Sequence, residues 1–223
     1  IFLYMGLASV FGIVLAIFLV DIKNAGNLQR KPEKNFIIPL PKSIDILIFW
    51  IGFGIDGVFT VTIVLMWAEV SGPEVAMLVG AFILAIRRIS EMVLGPLSGQ
   101  ISDRFGNALP LTVMLGLCAT GFFFIGFGVL LMGCVLLVLC RGALGTLFPA
   151  AASKLYPEQR IYSLTRNQTW RDIGAAAGPF LTGLFLGFMS PGAIHLGTLG
   201  CFLIALWWFF LSGDCRRLLV SSS

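Results

Sequence analysis

The chain has 223 residues, of which 58% are hydrophobic and only 12% are charged, and its formal net charge at neutral pH is +4. A soluble domain needs about 25% charged residues to cover its surface, so this composition excludes an ordinary water-soluble protein. The positive charges fall largely in loops between apolar runs, which gives no reason to infer nucleic-acid binding.

Seven stretches of the chain are long and apolar enough to cross a bilayer, since a spanning helix needs about 20 mostly apolar residues. They cover residues 1–20, 46–68, 75–101, 109–127, 130–152, 173–189 and 193–211. Short turns are predicted at Gly72 and Pro73, among the glycines at 126, 128 and 133, and at Pro191. The apolar runs are continuous and do not alternate, which favours helices over a barrel. We therefore predict an all-α polytopic membrane bundle of about seven transmembrane helices.

The order of these elements predicts a division into two unequal parts. A polar linker interrupted by Pro32, Pro39 and Pro41 follows the first apolar run, and six further runs come after it. This order is expected if a twelve-helix protein were cut just before its sixth helix. Residues 1–20 are then the last helix of the N-terminal half, 21–43 the linker between halves, 44–213 a C-terminal six-helix bundle and 214–223 a tail.

The basic residues predict the orientation of the bundle, because cytoplasmic loops carry an excess of lysine and arginine. If the linker is cytoplasmic, the alternate loops and the tail are cytoplasmic too, and the opposite loops hold no lysine or arginine. The basic residues collected on the cytoplasmic side are Lys23, Arg30, Lys31, Lys34, Lys42, Arg104, Lys154, Arg160, Arg166, Arg171, Arg216 and Arg217. We expect a multi-pass protein of the plasma or inner membrane with a cytoplasmic C-terminus.

A charged turn separates two of the apolar runs. It reads Gly99-Gln100-Ile101-Ser102-Asp103-Arg104-Phe105-Gly106. Asp103 and Arg104 have the chemistry to hydrogen-bond the ends of neighbouring helices, while Gly99 and Gly106 permit close backbone approach and positive φ. The pattern is typical of a gating loop between two membrane helices.

Two glycine-rich stretches follow in later helices. They comprise Arg141, Gly142 and Gly145 in the first and Gly174, Gly178, Pro179 and Gly183 in the second. Gly174 and Gly178 are four residues apart on one helix face, which allows a neighbouring backbone to approach, and Pro179 removes a hydrogen bond and favours a kink. Ordinary tight packing and a role in conformational change remain alternatives, and both are compatible with this pattern.

Taken together, the charged turn and the two glycine-rich stretches resemble the major facilitator superfamily in their order and helix placement. The resemblance implies half of a major-facilitator-type fold that works by alternating access, with its site at the interface between two halves near the midplane. It assigns gating to the Gly99–Gly106 turn and conformational change to the glycine-rich helices. The second glycine-rich stretch implies a mild preference for export.

Five charged residues within the predicted spans are the candidate substrate or coupling-ion site, because a charge at a helix centre costs about 2.5–3.5 kcal/mol on insertion scales. They are Asp56, Arg87, Arg88, Glu91 and Arg141. Glu91 lies four residues from Arg87 and three from Arg88, so one helix can pair its own charges; alternatively, Glu91 titrates and an arginine contacts substrate. Asp56 has no partner within a helical turn, which makes it the better candidate proton site. Arg141 pairs across the bundle with Asp56 or Glu91, or binds an anionic substrate group.

The sequence offers little material for a catalytic or metal centre. The cysteines have no paired ligand spacing and are interpreted as packing residues: Cys118, Cys134, Cys140, Cys201 and Cys215. The single histidine, His195, is interpreted as an interfacial polar residue near the outer end of the last span. We therefore expect no metal and no cofactor, and we do not expect an enzyme.

The function predicted is secondary active transport of a small molecule, with a proton or another ion as coupling partner. The other expected partners are membrane lipid and the missing N-terminal half, and nucleic acid is not among them. No nucleotide-binding loop is visible, which favours ion coupling over direct use of ATP. The alternatives are a multi-pass membrane enzyme that acts on lipids and a non-transporting receptor or scaffold on the same fold.

Overall fold

The computed structural model of the chain describes residues 40–220, which form helices joined by short turns and include no strand. The predicted first span at 1–20 and all but the end of the predicted linker at 21–43 lie outside the described residues. The prediction of an all-helical chain is confirmed for the part that the structure describes.

The helices follow one another with few intervening residues. A single continuous rod comes first, composed of α1 (Ser43–Ile51), a π-helical segment (Gly52–Phe59) and α2 (Thr60–Ser71). The later helices are α3 (Pro73–Phe105), α4 (Ala108–Gly126), α5 (Leu130–Leu155), a short 3₁₀ turn (Pro157–Gln159), α6 (Arg160–Phe185), α7 (Pro191–Leu211) and α8 (Asp214–Val220).

Four of these elements are long and apolar enough to cross a membrane within the described residues: the rod Ser43–Ser71, α4, α5 and α7. These correspond to four of the predicted spans. The predicted spans at 75–101 and 173–189 correspond to α3 and α6, which have 33 and 26 residues but carry more charge. The prediction of seven spans is therefore matched in part.

The boundaries of α6 differ most from the sequence prediction. The prediction began at residue 173, where apolar composition begins, whereas the helix begins at Arg160. The first half of α6 is polar but holds no proline or glycine, so nothing in it interrupts the helical backbone. Hydropathy therefore marked only the apolar half of a longer helix.

The turns between helices contain the residues expected of them. Gly106 ends α3 with φ at 77° and Gly128 lies between α4 and α5 with φ at 82°, a conformation that glycine adopts at no steric cost. Pro73 and Pro191 occupy the first positions of α3 and α7, where the missing N–H is not needed. The predicted turns at 72–73, 126–128 and 191 are confirmed.

The core of the bundle lies around α5, which packs against α3, α4 and α6, while α7 packs against α4 and the rod. Five of its fully buried side chains are phenylalanines: Phe59, Phe122, Phe148, Phe202 and Phe209. Three of the cysteines, Cys118, Cys134 and Cys140, are buried free thiols in this core, as predicted for packing residues. Since lipid tails are as apolar as these side chains, close packing stabilises the bundle more than the exclusion of water does.

The rod and α6 are in backbone contact through glycines on both sides. A Cβ atom added to Gly174 would lie 2.2 Å from the Phe49 carbonyl oxygen, and one added to Gly178 would lie 2.6 Å from the Gly57 Cα atom. The i→i+5 pattern of the π-helical segment brings Gly52 and Gly57 towards one face, which packs on α6. The close approach predicted for Gly174 and Gly178 is confirmed.

Gly183 differs from the other glycines of that stretch. A Cβ atom added there would meet nothing within 4 Å. The close contact with the rod therefore ends near Pro179, and the packing role predicted for this stretch extends only over its first half.

Candidate functional site

Three elements bring four of the candidate charged side chains together near the middle of the bundle. Asp56 comes from the π-helical segment, Arg87 and Glu91 from α3 and Arg141 from α5. Each of these positions lies close to the midpoint of its helix. We call these four residues and Arg88 the central cluster.

Asp56 is the hub of the central cluster. Its Oδ1 atom accepts a hydrogen bond from the Nε atom of Arg141 at 2.8 Å and another from the Nη2 atom of Arg87. The three side chains are only 10–12% exposed. Arg141 thus pairs across the bundle with Asp56, which is one of the two carboxylates proposed from the sequence. Both partners of Asp56 lie on other helices and not on its own.

The other side of the central cluster is open. The Nε atom of Arg87 lies 3.4 Å from Glu91 Oε1, and the Nη1 atom of Arg88 lies 2.9 Å from Glu91 Oε2. The side chain of Glu91 is 25% exposed and that of Arg88 is 77% exposed. Three arginines against two carboxylates leave the central cluster with a net charge of +1.

Small residues explain why α3 and α5 come close enough to build this cluster. A Cβ atom added to Gly142 would lie 2.7 Å from the Ser90 carbonyl oxygen, so the two backbones touch at this level. The Ser90 hydroxyl donates to the Val138 carbonyl oxygen at 3.1 Å. Farther along the same two helices, the hydroxyls of Ser98 and Thr146 are 2.6 Å apart. Gly142 therefore positions Arg141 beside α3.

The predicted gating turn is mostly helical. α3 continues through Phe105, and only Gly106 departs from the helix with positive φ. Gly99 has no neighbour within 4 Å of an added Cβ atom, so the close approach predicted there is not observed. Asp103 and Arg104 are exposed and form no ion pair with any other described residue. They extend from the last turn of α3 and do not belong to the central cluster.

A second cluster, at the start of the rod, was not predicted. Asp45 is fully buried and forms an ion pair with Arg166 of α6, which is also buried; its Oδ1 atom accepts a hydrogen bond from Asn167 Nδ2 at 3.3 Å. The backbone N–H of Lys42 donates to Asp45 Oδ2 at 3.0 Å, which caps α1. We call Asp45, Arg166, Tyr156 and Asp214 the end cluster.

Tyr156 and Asp214 complete the end cluster. The hydroxyl of Ser43 donates to Asp214, and the Tyr156 hydroxyl lies 3.5 Å from Asp214 Oδ2. The ammonium group of Lys42 lies 3.6 Å from the centre of the Tyr156 ring. Burial, with the neighbouring charge of Asp214, raises the pKa of Tyr156 to about 12, whereas burial and Arg166 lower the pKa of Lys42.

Only a weak signal in the sequence pointed to the end cluster. Asp45 is an acidic residue in the first turn of a helix, a position that is common on helix surfaces. Its partners are 121 and 122 residues away, and a separation of that size gives no periodic pattern in the sequence.

His195 is buried, which contradicts its interpretation as an interfacial residue. Its Nε2 atom lies 2.7 Å from the hydroxyl of Thr62, and that hydroxyl donates to the Val58 carbonyl oxygen at 2.8 Å. Because the one hydrogen of the threonine hydroxyl is donated to Val58, its oxygen accepts a hydrogen bond from Nε2 of His195. The Nδ1 atom is buried without a hydrogen-bond partner among the described residues.

The central cluster is therefore the candidate functional site. It contains all five charged residues that the sequence singled out, whereas the gating-turn residues lie apart from it. No protein-family model, curated protein or solved structure matches the chain. Function is therefore inferred from the geometry of the central cluster and from its surroundings in the bundle.

Proposed function

We propose that the chain is the C-terminal half of a secondary active transporter that moves a small molecule by alternating access. The proposal places the central cluster on the wall of the translocation pathway and assigns the other wall to a second bundle. Proton coupling and a preference for export are parts of this proposal that rest on Asp56, Glu91 and the sequence resemblance.

The exposure of Arg88 is the observation that carries the proposal. A guanidinium in hydrocarbon is costly, about 2.5–3.5 kcal/mol on insertion scales even before its partners are counted. Arg88 nevertheless lies near the midpoint of a 33-residue helix with 77% of its side chain uncovered. An uncovered charge at that depth requires water or a second protein surface beside it. A transport pathway between two bundles supplies both.

The packing of the rod supports a bundle that changes conformation. Polar midplane sites in transporters are typically built on helices with interrupted hydrogen bonding, and Asp56 lies within the π-helical segment. π-Helical turns occur frequently at functional sites. The glycine contacts between this segment and α6 present few side chains to interlock, so the middle of the rod is able to adjust while the Asp45–Arg166 pair holds its start against α6.

Asp56 is the residue through which ion coupling is proposed. Its Oδ1 atom receives both guanidinium groups, so a proton or another cation that binds Asp56 competes with Arg87 and Arg141. Releasing either arginine changes the contact between the rod and α3 or α5. Ion binding would thus bias the arrangement of the helices, as alternating access requires.

Flux measurements test the proposal. The protein that contains this chain should be reconstituted in liposomes that enclose a pH-sensitive dye, and a panel of small solutes should be applied. We expect at least one solute to cause saturable, protein-dependent flux. Asp172→Asn, which alters the exposed Arg171–Asp172 pair on α6, is the matched control and should retain that flux, whereas Asp56→Asn should lose its pH dependence.

The outcome also separates the rival functions. A membrane enzyme acting on lipids would convert lipid without solute flux, and a receptor or scaffold would show neither reaction nor flux. Either result, obtained with a folded protein across a broad panel of solutes, would contradict the transport proposal.

A further inference from the structure

An apolar cavity lies beside the central cluster. It occupies about 470 Å³ between α2, α3 and α5, within the range of small-molecule pockets. Its walls are formed by apolar side chains that include Trp67, Phe82, Ile83, Ile86, Cys134 and Val138. No charged side chain lines it, so it suits the uncharged, apolar body of a ligand.

A smaller space lies between this cavity and Arg87 and shares one wall residue with the cavity. It occupies about 50 Å³ between α2 and α3 and is lined by Thr60, Val64, Gly80, Ile83 and Arg87 among others. Ile83 belongs to both spaces. Arg87 therefore contacts Asp56 and Glu91 and also lines a space next to the apolar cavity.

Arg87 determines the sign of a ligand's polar group, because it is the one charged side chain among the described residues that lines either of these two spaces. The excess positive charge of the central cluster is carried by Arg88, which is 77% exposed and lines neither space. A guanidinium group favours an anionic partner, with which it forms charge-assisted hydrogen bonds. A cationic group at the same place would be repelled by Arg87.

We infer that the apolar cavity and Arg87 together form a binding site for an amphipathic organic anion, such as a carboxylate attached to an apolar body. The apolar body lies in the cavity, and the carboxylate accepts hydrogen bonds from Arg87 in the smaller space. This inference rests on the proposed function when it names the substrate class, but the binding site itself does not require transport.

An introduced cysteine provides a direct test if it lies in the wall of the cavity and is accessible. Ile86 meets both conditions, since it lines the cavity and is 40% exposed, whereas Cys134 is buried. The purified Ile86→Cys variant in lipid nanodiscs should be treated with N-ethylmaleimide, and the modification of each cysteine should be followed by peptide mass spectrometry. Cys201 on α7 does not line the cavity and serves as the internal control. The probes are decanoate, decanol and decylammonium at equal concentrations.

We expect decanoate to slow the modification of the cysteine at position 86 by about twofold at half occupancy of the site and by about threefold or more above two-thirds occupancy, and to leave Cys201 unchanged. Decanol and decylammonium should protect less. Equal protection by all three probes would overturn the role of Arg87. No protection by any probe, including a cysteine at position 86 that is already unreactive because phospholipid occupies the cavity, would overturn the site.

Two variants sharpen the test. The measurement is the rise in unfolding temperature that decanoate causes. Val135→Phe fills the cavity and should abolish this rise. The double variant Arg87→Gln with Asp56→Asn removes one charge of each sign and should reduce the rise to the level seen with decanol. If both variants retain the full rise, the inference fails. Flux of labelled decanoate is measured separately. Protection of the cavity cysteine without any flux would contradict the transport proposal but not the binding site. Flux of another solute without protection of the cysteine would contradict the binding site but not the transport proposal.

Discussion

The central and end clusters use the same residue types, carboxylates paired with arginines from distant helices, but differ in what surrounds them. In the end cluster, the side chains of Asp45 and Arg166 are 0% and 3% exposed, and the two residues form an ion pair with each other. In the central cluster, Asp56 is shared by two arginines, and exposure increases outward to Arg88. A closed pair of buried charges fixes two helices in one register, whereas a shared and partly open set can exchange partners.

This difference assigns stability to one region and exchange to the other. Removing one member of a buried pair leaves a charge without compensation, at a cost of about 3–5 kcal/mol. In the central cluster Asp56 keeps a second arginine if Arg87 or Arg141 is lost, and Arg87 keeps Glu91 if Asp56 is lost, so these losses are partly compensated. Each prediction below tests this separation, beginning with the largest expected change in stability.

Asp45→Asn should lower the free energy of unfolding by about 3–5 kcal/mol, because Arg166 is left buried without an ionic partner. Thermal unfolding in an uncharged detergent measures the effect. Asp172→Asn removes an exposed carboxylate from the Arg171–Asp172 pair and should cost less than about 1 kcal/mol. If the two variants lost equal free energy of unfolding, the buried pair of the end cluster would be no more important for stability than an exposed pair.

Gly178→Ala should lower the free energy of unfolding by about 1–3 kcal/mol, because the added methyl group overlaps with backbone atoms of the rod. Its Cβ atom would lie 2.6 Å from both Gly57 Cα and the Phe53 carbonyl oxygen. Gly183→Ala on the same helix meets no atom within 4 Å and should be neutral. Two variants of equal stability would contradict the close contact of the rod with α6.

Asp56→Asn should lower the free energy of unfolding by only about 1–2 kcal/mol, because asparagine keeps an acceptor oxygen for Arg141, which is 10% exposed, and Arg87 keeps Glu91. Its larger effect should be on function, where the pH dependence of transport is lost. Comparing the unfolding temperature and the pH profile of flux in the same preparation measures both. A pH profile identical to that of the unmodified protein would remove Asp56 from the coupling mechanism.

Tyr156→Phe should produce the smallest effect near neutral pH, because its consequence emerges only in alkaline solution. The pKa of Tyr156 is raised to about 12 in the folded protein, above its ordinary value near 10. The associated stability is therefore complete below about pH 10 and is lost as the pH rises towards 12. Phenylalanine keeps the ring under Lys42 but cannot ionise, so the variant should lose less stability over that interval. Identical pH curves would contradict this assignment.

The sequence predicted the helices and the members of the central cluster because both depend on strong local signals. Continuous apolar runs predict spans, and a charge within a span is rare enough to identify Asp56 and Arg141 individually. Their partners required the fold, since 85 residues separate them and nothing local relates the two. The burial of His195 was missed for the same reason: its contact with Thr62 spans 133 residues.

The π-helical segment also could not be predicted from composition. Its glycines at positions 52, 54 and 57 are compatible with a packed α-helix, a kink or a turn. In the fold, Gly52 and Gly57 pack against α6, a tertiary contact that composition does not reveal. Gly174 and Gly178 of α6 were identified from the sequence, but the glycines of the rod and the backbone geometry that joins the two helices were not.

The central claim is that the face of α3 bearing Arg88 borders water and not lipid. Leu84, one turn before Arg88, is 51% exposed, and Ile204 on α7 is 71% exposed. In a variant whose native cysteines are replaced by serine, Leu84→Cys and Ile204→Cys should be treated with a membrane-impermeant thiol reagent. Because the reactive thiolate forms in water and not in hydrocarbon, we predict that Leu84→Cys reacts about tenfold faster or more. Equal rates at the two positions, or a faster reaction at position 204, would contradict a water-filled pathway beside the central cluster.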